Sequence, residues 1–262
     1  TGSLGKLIYK NKKNLKIFRF KGDIRNKKEV FEWIHKNDLK IIIHLAAIVP
    51  IKTVNENKRK AKEVNYFGTR NIVDASIKKN IRWFFFSSTS HVYNSSKKKI
   101  LEKDTFKPIS YYGKTKFLAE RYIIKKFKKK NISYCIGRIF STTSYDQKKS
   151  YLIPDLKERI RKNKKKIILK NLNHYRDFIS MNDISKIIFE LSKKKYKGII
   201  NIATGKKVYL KNIAKIILKK YNKENYKFID NKLQTSLIGD IKKLKKITNF
   251  KSHKSIEKMI FH

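Results

Sequence analysis

Tyr112 and Lys116 stand four residues apart in the stretch from Ser110 to Phe117. On a helix that spacing puts both side chains on one face, about one turn apart. A phenol beside an ammonium is a candidate acid and base: free phenol titrates near about pH 10, and a nearby positive charge favours the phenolate. Such a group can take a proton from a substrate hydroxyl while hydride leaves, or protonate the alkoxide in reverse. In a lysine-rich chain the spacing alone carries little weight. Ser87, Ser88 and Thr89 add to it, because they follow the apolar run Arg82 to Phe86. Hydroxyls at the carboxyl end of a parallel strand sit where such sheets bind ligands. Thr89 is best placed to hydrogen-bond the oxygen that Tyr112 serves.

Alternating strands and helices must hold these residues. Predicted strands cover Leu15–Phe20, Lys40–Leu45, Arg82–Ser87 and Ile132–Ile139. Helices are predicted over Lys27–His35, Lys58–Lys79 and Ser110–Lys128, each with apolar residues on one stripe. Continuous apolar strands between amphipathic helices mean a parallel sheet covered on both faces. The second half is less regular, with helices near Pro154–Arg161, Asn182–Lys193 and Leu210–Tyr221 and strands at Lys166–Leu169 and Gly198–Ala203. The fold class is α/β.

Composition narrows the function. The 262 residues are 40% hydrophobic, too apolar for a disordered chain. No apolar run approaches the roughly 20 residues needed to cross a bilayer, so no membrane partner is expected. Thr1 to Lys13 lacks the apolar stretch of a signal peptide, and a cytoplasmic protein is the expectation. The single Cys135 rules out an internal disulfide and a cysteine-based zinc site; no metal is expected. The net charge of +47 invites a nucleic-acid reading, but only ten of the basic residues are arginines and lysines run through every segment. Stacking aromatics among clustered arginines, which RNA binding would need, are not found. No specific nucleic acid is expected, though the charge would attract a diphosphate-bearing substrate.

Seven segments, in order, resemble the extended short-chain dehydrogenase/reductases of the nucleotide-sugar epimerase/dehydratase type. Gly22-Asp23-Ile24 is similar to the family's adenine-contacting turn, and His44-Leu45-Ala46-Ala47 to a strand end that passes the cofactor. Asn65 with Gly68 to Asn71 resembles the helix bearing the active-site asparagine. Ser87-Ser88-Thr89 and Tyr112 with Lys116 resemble the catalytic stretch. Arg176-Asp177-Phe178 resembles the segment whose arginine binds the substrate diphosphate, and Asn201 to Gly205 a late strand-turn. The resemblance implies a Rossmann-type doubly wound sheet, NAD or NADP as cofactor, a nucleotide-sugar substrate and a homodimer. It assigns Thr89, Tyr112 and Lys116 to catalysis. Asp23, Ile24, Leu45, Ala46, Ala47 and Ser87, with Tyr112 and Lys116, go to the cofactor. Ser88, His91 and Arg176 go to the substrate, and Asn65 to active-site support. Residues 1–140 would form the dinucleotide-binding domain and residues 141–262 mainly the substrate-binding region, with some elements packing back on the first.

Two departures qualify this. A dinucleotide fold needs a glycine-rich turn between a strand and a helix. Thr1 to Gly5 instead resembles the loop after the family's second strand, so the first βαβ unit is expected to be missing from the sequence. That leaves open a second reading, a catalytically impaired relative acting as a binding or redox-sensing protein. The family's dehydratases carry an acidic pair after the threonine; Ser90 and His91 stand there and cannot drive water loss. Epimerisation or 4-keto reduction of a nucleotide sugar remains.

Overall fold

Trp83 to Phe86 places four large apolar side chains in succession, a pattern that only a strand covered on both faces can bury. A computed structural model shows all four fully buried. It describes residues 2–261 other than 13, 145, 146, 148, 149, 164, 165, 253 and 254. The first half comprises α1 (Ser3–Lys10), α2 (Lys27–Lys36), β1 (Ile41–His44), α3 (Ile51–Glu56) and α4 (Lys58–Lys62). A π-helical segment, Glu63–Gly68, leads into α5 (Thr69–Lys78). Then come β2 (Trp83–Thr89), a 3-10 turn at Ser90–Val92, α6 (Tyr111–Lys129) and β3 (Ser133–Ile139).

The second half adds β4 (Ser141–Thr143), α7 (Leu152–Lys162), β5 (Ile167–Lys170), β6 (His174–Arg176), β7 (Phe178–Ser180), α8 (Met181–Lys193) and β8 (Gly198–Ile202). It ends with β9 (Val208–Tyr209), α9 (Leu210–Lys220), β10 (Tyr226–Ile229), β11 (Thr235–Leu237), α10 (Lys242–Ile247) and α11 (Ile256–Phe261).

The main sheet is parallel, in the order β1-β2-β3-β8. Alternation along β2 sends Phe84 and Phe86 to one face, against Val30 and Ile34 of α2, Val73 of α5 and Phe127 of α6. Trp83 and Phe85 take the other face, against Ile8 of α1 and Ile184 and Ile188 of α8. The sheet is therefore doubly wound, as expected. A separate apolar cluster joins α7, β5, α9 and α11 through Leu156, Leu169, Ile217 and Ile260. Meanwhile α8 and β8, from the second half of the chain, return to the main sheet.

Three elements differ from expectation. Residues 15–20 are not a strand. A strand exists by pairing, and no described strand runs beside this segment; Phe20 is held by an edge contact with Trp33 and Ile17 by packing. The helix expected over Lys58–Lys79 is broken by the π-helical turn that carries Asn65. Ser3 and Leu4 open a helix rather than a loop, because Leu4 and Ile8 pack together toward the sheet. Thr1 lies outside the described residues.

Candidate active site

The site grows from the carboxyl end of β2 and the start of α6. Ser110 caps α6 by accepting from the Gly113 N–H at 3.1 Å, and Tyr112, Lys116 and Glu120 follow on one face. Gly113 permits close approach: a Cβ there would lie 2.1 Å from the His91 carbonyl oxygen. Helix α6 thus starts against the 3-10 turn that follows Thr89.

Tyr112 is 8% exposed, and burial raises its phenol above the ordinary value, with Tyr151 adding and a hydrogen bond with Thr89 opposing. Lys116 was expected to lower it; burial wins instead. The Lys116 ammonium is 1% exposed, lies 4.0 Å above the Phe86 ring and has no hydrogen-bond partner. Burial pushes it down to about 7, against the Glu120 charge. A buried cation with three unused donors is a costly arrangement that a ligand can relieve.

Asn65 braces this helix. Its Oδ1 accepts from Ile48 N–H at 2.8 Å, and its Nδ2 donates to the Ile48 carbonyl and to Thr115 Oγ1. Thr115 Oγ1 in turn donates to the Tyr112 carbonyl at 2.7 Å. The π-helical turn, an irregularity frequent at functional sites, carries this side chain. Thr69 donates to the Asn65 carbonyl and pairs with His44 Nε2 at 2.9 Å, and burial holds His44 neutral, down to about 3.

One turn further along the same face of α6 lies a polar cluster that reading the sequence missed. Glu120 and Arg138, each 1% exposed, form an ion pair at 2.7 Å. Ser88 Oγ also donates to Glu120. Arg138 Nη1 donates to Tyr93 Oη and the Glu102 carbonyl, both at 2.9 Å, and Tyr93 donates to Asn201 Oδ1 at 2.7 Å. The one sequence signal was Glu120 on the Tyr112–Lys116 face, at the next i,i+4 position.

In front lies a cavity of about 1640 Å³. Every expected site residue lines it except Lys116 and Asn65, which sit behind its wall. It exceeds the roughly 300–1,000 Å³ of ordinary ligand pockets because it continues along the open edge of β1, past Ile41 and Leu39. Asp23 lines it too, but Arg25 engages both carboxylate oxygens and holds the group below the usual carboxylate range. Ile24 packs on Gly68, where a Cβ would meet it at 2.6 Å.

On the far wall, Arg176 donates to the Tyr175 and Thr235 carbonyls and to Thr235 Oγ1, and has no carboxylate partner among the described residues. Burial lowers its guanidinium to about 10. Its neighbour Asp177 faces inward and accepts from Thr204 N–H and Oγ1, Gly205 N–H and Gly239 N–H. That carboxylate ties the turn after β8 to the turn after β11 and so fixes β6 and its arginine. Among the described residues no cluster of metal-ligating side chains occurs, and no helix is long and apolar enough to cross a membrane.

Known proteins resemble the chain along most of its length. The sequence pattern of the NAD dependent epimerase/dehydratase family matches residues 5–203. A putative UDP-glucose 4-epimerase of Methanocaldococcus jannaschii is 29% identical over 79% of this chain and 69% of its own. A GDP-6-deoxy-D-talose 4-dehydrogenase of Aggregatibacter actinomycetemcomitans is 30% identical over 78% and 72%. Among solved structures, the Thermus thermophilus UDP-glucose 4-epimerase in complex with NAD superposes with a TM-score of 0.86 at 17% identity, covering 99% of this chain and 94% of that one.

Proposed function

The chain belongs to the NAD-dependent epimerase/dehydratase family, and from that premise we propose that it is an NAD- or NADP-dependent nucleotide-sugar 4-epimerase or 4-ketoreductase. Tyr112 is its acid–base group. The observation that carries this is a pair of cations: the half-buried Arg176 on one wall of the cavity, with no carboxylate partner among the described residues, and the buried Lys116 just behind the opposite wall, with no hydrogen-bond partner. Arg176 suits the diphosphate of a nucleotide sugar, since a guanidinium binds phosphate oxygens through paired donors.

The residues present fit the nucleoside parts of a dinucleotide, and no glycine-rich strand-to-helix turn for its pyrophosphate occurs among the described residues. The orphaned Lys116 ammonium requires acceptors such as ribose hydroxyls, and Asp23, Ile24 and Leu45 to Ala47 line the adjoining wall. When bound, the nicotinamide supplies or accepts the hydride. Tyr112 donates its proton to the oxygen of a 4-keto sugar, with Thr89 Oγ1 hydrogen-bonding the same oxygen. A buried phenol that stays protonated suits this reductive direction as the first step. In an epimerase the phenolate must take a proton first, and a cationic cofactor would have to favour it.

Residues 1–140 serve the cofactor in this reading, and residues 141–262 mainly the substrate. The exposed Phe67 and Leu118, on the paired segments that carry Asn65 and Tyr112, fit the seam of a homodimer. Two incubations test the reaction. Conversion of UDP-glucose to its galactose epimer without added cofactor identifies an epimerase. Oxidation of NADPH with a dTDP-4-keto-6-deoxy sugar identifies a reductase. Neither activity from the protein, with cofactor supplied, would sink the enzymatic reading.

A further inference from the structure

We propose that His91 is a specificity-determining residue, which donates from Nε2–H to an oxygen on the sugar carbon next to the one that Tyr112 serves. The inference rests on the nucleotide-sugar reading above and states what that site selects. Three observations support it.

The residue is clamped. His91 N–H donates to Thr89 Oγ1 at 3.2 Å, its carbonyl accepts from Ile109 N–H at 3.2 Å, and the same carbonyl abuts Gly113. Its ring is therefore fixed against both the threonine and the start of the catalytic helix. Its ring orientation is set as well. Nδ1 lies 3.0 Å from Ser110 Oγ, which already accepts from Gly113 N–H. The serine hydroxyl has one proton and no other protein acceptor among the described residues, so donating it to Nδ1 satisfies both groups. That choice leaves the ring hydrogen on Nε2. Finally, Nε2 has no partner among the described residues, while the ring lines the cavity with its centroid 6.0 Å from that of Tyr112, edge to face. One six-membered sugar ring bridges that span.

Burial, with the Arg176 charge added, pushes the imidazole down to about 4, so it is neutral at pH 7. A neutral ring protonated at Nε2 and hydrogen-bonded at Nδ1 has neither a spare proton nor a free lone pair. It binds an oxygen and does not trade protons with it. This separates it from the acidic pair of a dehydratase.

The test compares the protein with His91→Phe, which keeps the ring, and His91→Gln, which keeps an N–H donor. Each is assayed with UDP-glucose, UDP-galactose and dTDP-4-keto-6-deoxyglucose, and with the 3-deoxy analogue of each. One neutral hydrogen bond corresponds to about a ten-fold loss of kcat/KM. We expect that loss for the analogue on the unmodified protein and for the parent sugar on His91→Phe. The phenylalanine variant should lose nothing further on the analogue, and His91→Gln should recover most of the rate. If His91→Phe discriminates parent from analogue as well as the unmodified protein does, the inference is overturned while the enzymatic reading stands. If the unmodified protein turns over none of these sugars, the reading itself fails and takes the inference with it. Independently of turnover, long-range ¹H–¹⁵N spectra of histidine-labelled protein should show the Nε2–H form of His91 at pH 7, and the Nδ1–H form would overturn the inference.

Discussion

Two polar regions beside helix α6 treat their charges in opposite ways. Around Glu120, the side chains of Arg138, Tyr93, Asn201 and Ser88 bond one another until the ion pair is saturated. At the cavity, Lys116 just behind one wall has no hydrogen-bond partner, and Arg176 on the other has no carboxylate partner among the described residues. The saturated region costs little once formed and much if broken, because removing one partner strands the other. The unsaturated region is a standing cost of folding that only a ligand rich in oxygen acceptors relieves. Where hydrogen-bonding capacity is left over is where this chain expects its substrate.

Mutations should break the two regions differently. The largest effect is expected at the cavity, on rate. Tyr112→Phe should lower turnover of whichever sugar proves active by about 10²–10⁴-fold, the usual range for a general acid or base. Its melting temperature should stay close to that of the parent, and a variant with full activity would remove Tyr112 from the mechanism.

Around Glu120 the effect should fall on stability. Glu120→Gln leaves Arg138 buried without its carboxylate and should cost about 3–5 kcal/mol in urea denaturation. A loss under about 1 kcal/mol would mean that the pair is worth no more than an exposed one.

Lys116 sharpens the contrast through pH. Its folded value is down at about 7 against an ordinary 10.5. Between those values the unfolded chain binds the extra proton, so this residue's contribution to stability rises as pH rises from 7 to 10.5. Denaturation of Lys116→Met and the parent should therefore show the parent gaining relative to the variant between pH 7 and pH 10. A constant difference would show that the ammonium is not held at a cost.

The smallest effect belongs to Arg176→Gln. Loss of charge-assisted bonds to a diphosphate should weaken nucleotide-sugar binding by about 1.5–3 kcal/mol, roughly ten- to a hundred-fold. Stability should change little, since the lost bonds to Tyr175 and Thr235 are set against removal of a half-buried cation with no carboxylate partner among the described residues. Calorimetry with UDP alone reads the affinity.

Much of the architecture was legible in the residues. The successive bulk of Trp83 to Phe86 required a two-sided strand, and the stripes of α2, α5, α6 and α8 required helices to cover it. Tyr112 with Lys116, Thr89 and Arg176 stood out by type and order. The strand expected at Leu15–Phe20 failed because apolar alternation describes a face to be buried, and pairing depends on what lies alongside. The break in the helix around Asn65 was invisible, since residues 63–68 read as helical as their neighbours do. The role of Glu120 went unread, because nothing in its sequence surroundings names Arg138 as a partner.

Sequence by itself therefore determined the doubly wound α/β class, the family and the placing of Tyr112 with Lys116 on one helix face, because these follow from local periodicity and from residue types in order. Only tertiary structure decided the electrostatic state of that pair. Burial keeps the Tyr112 phenol protonated and drains charge from Lys116. Desolvation depends on what packs around a group in space, and no spacing along the chain records it.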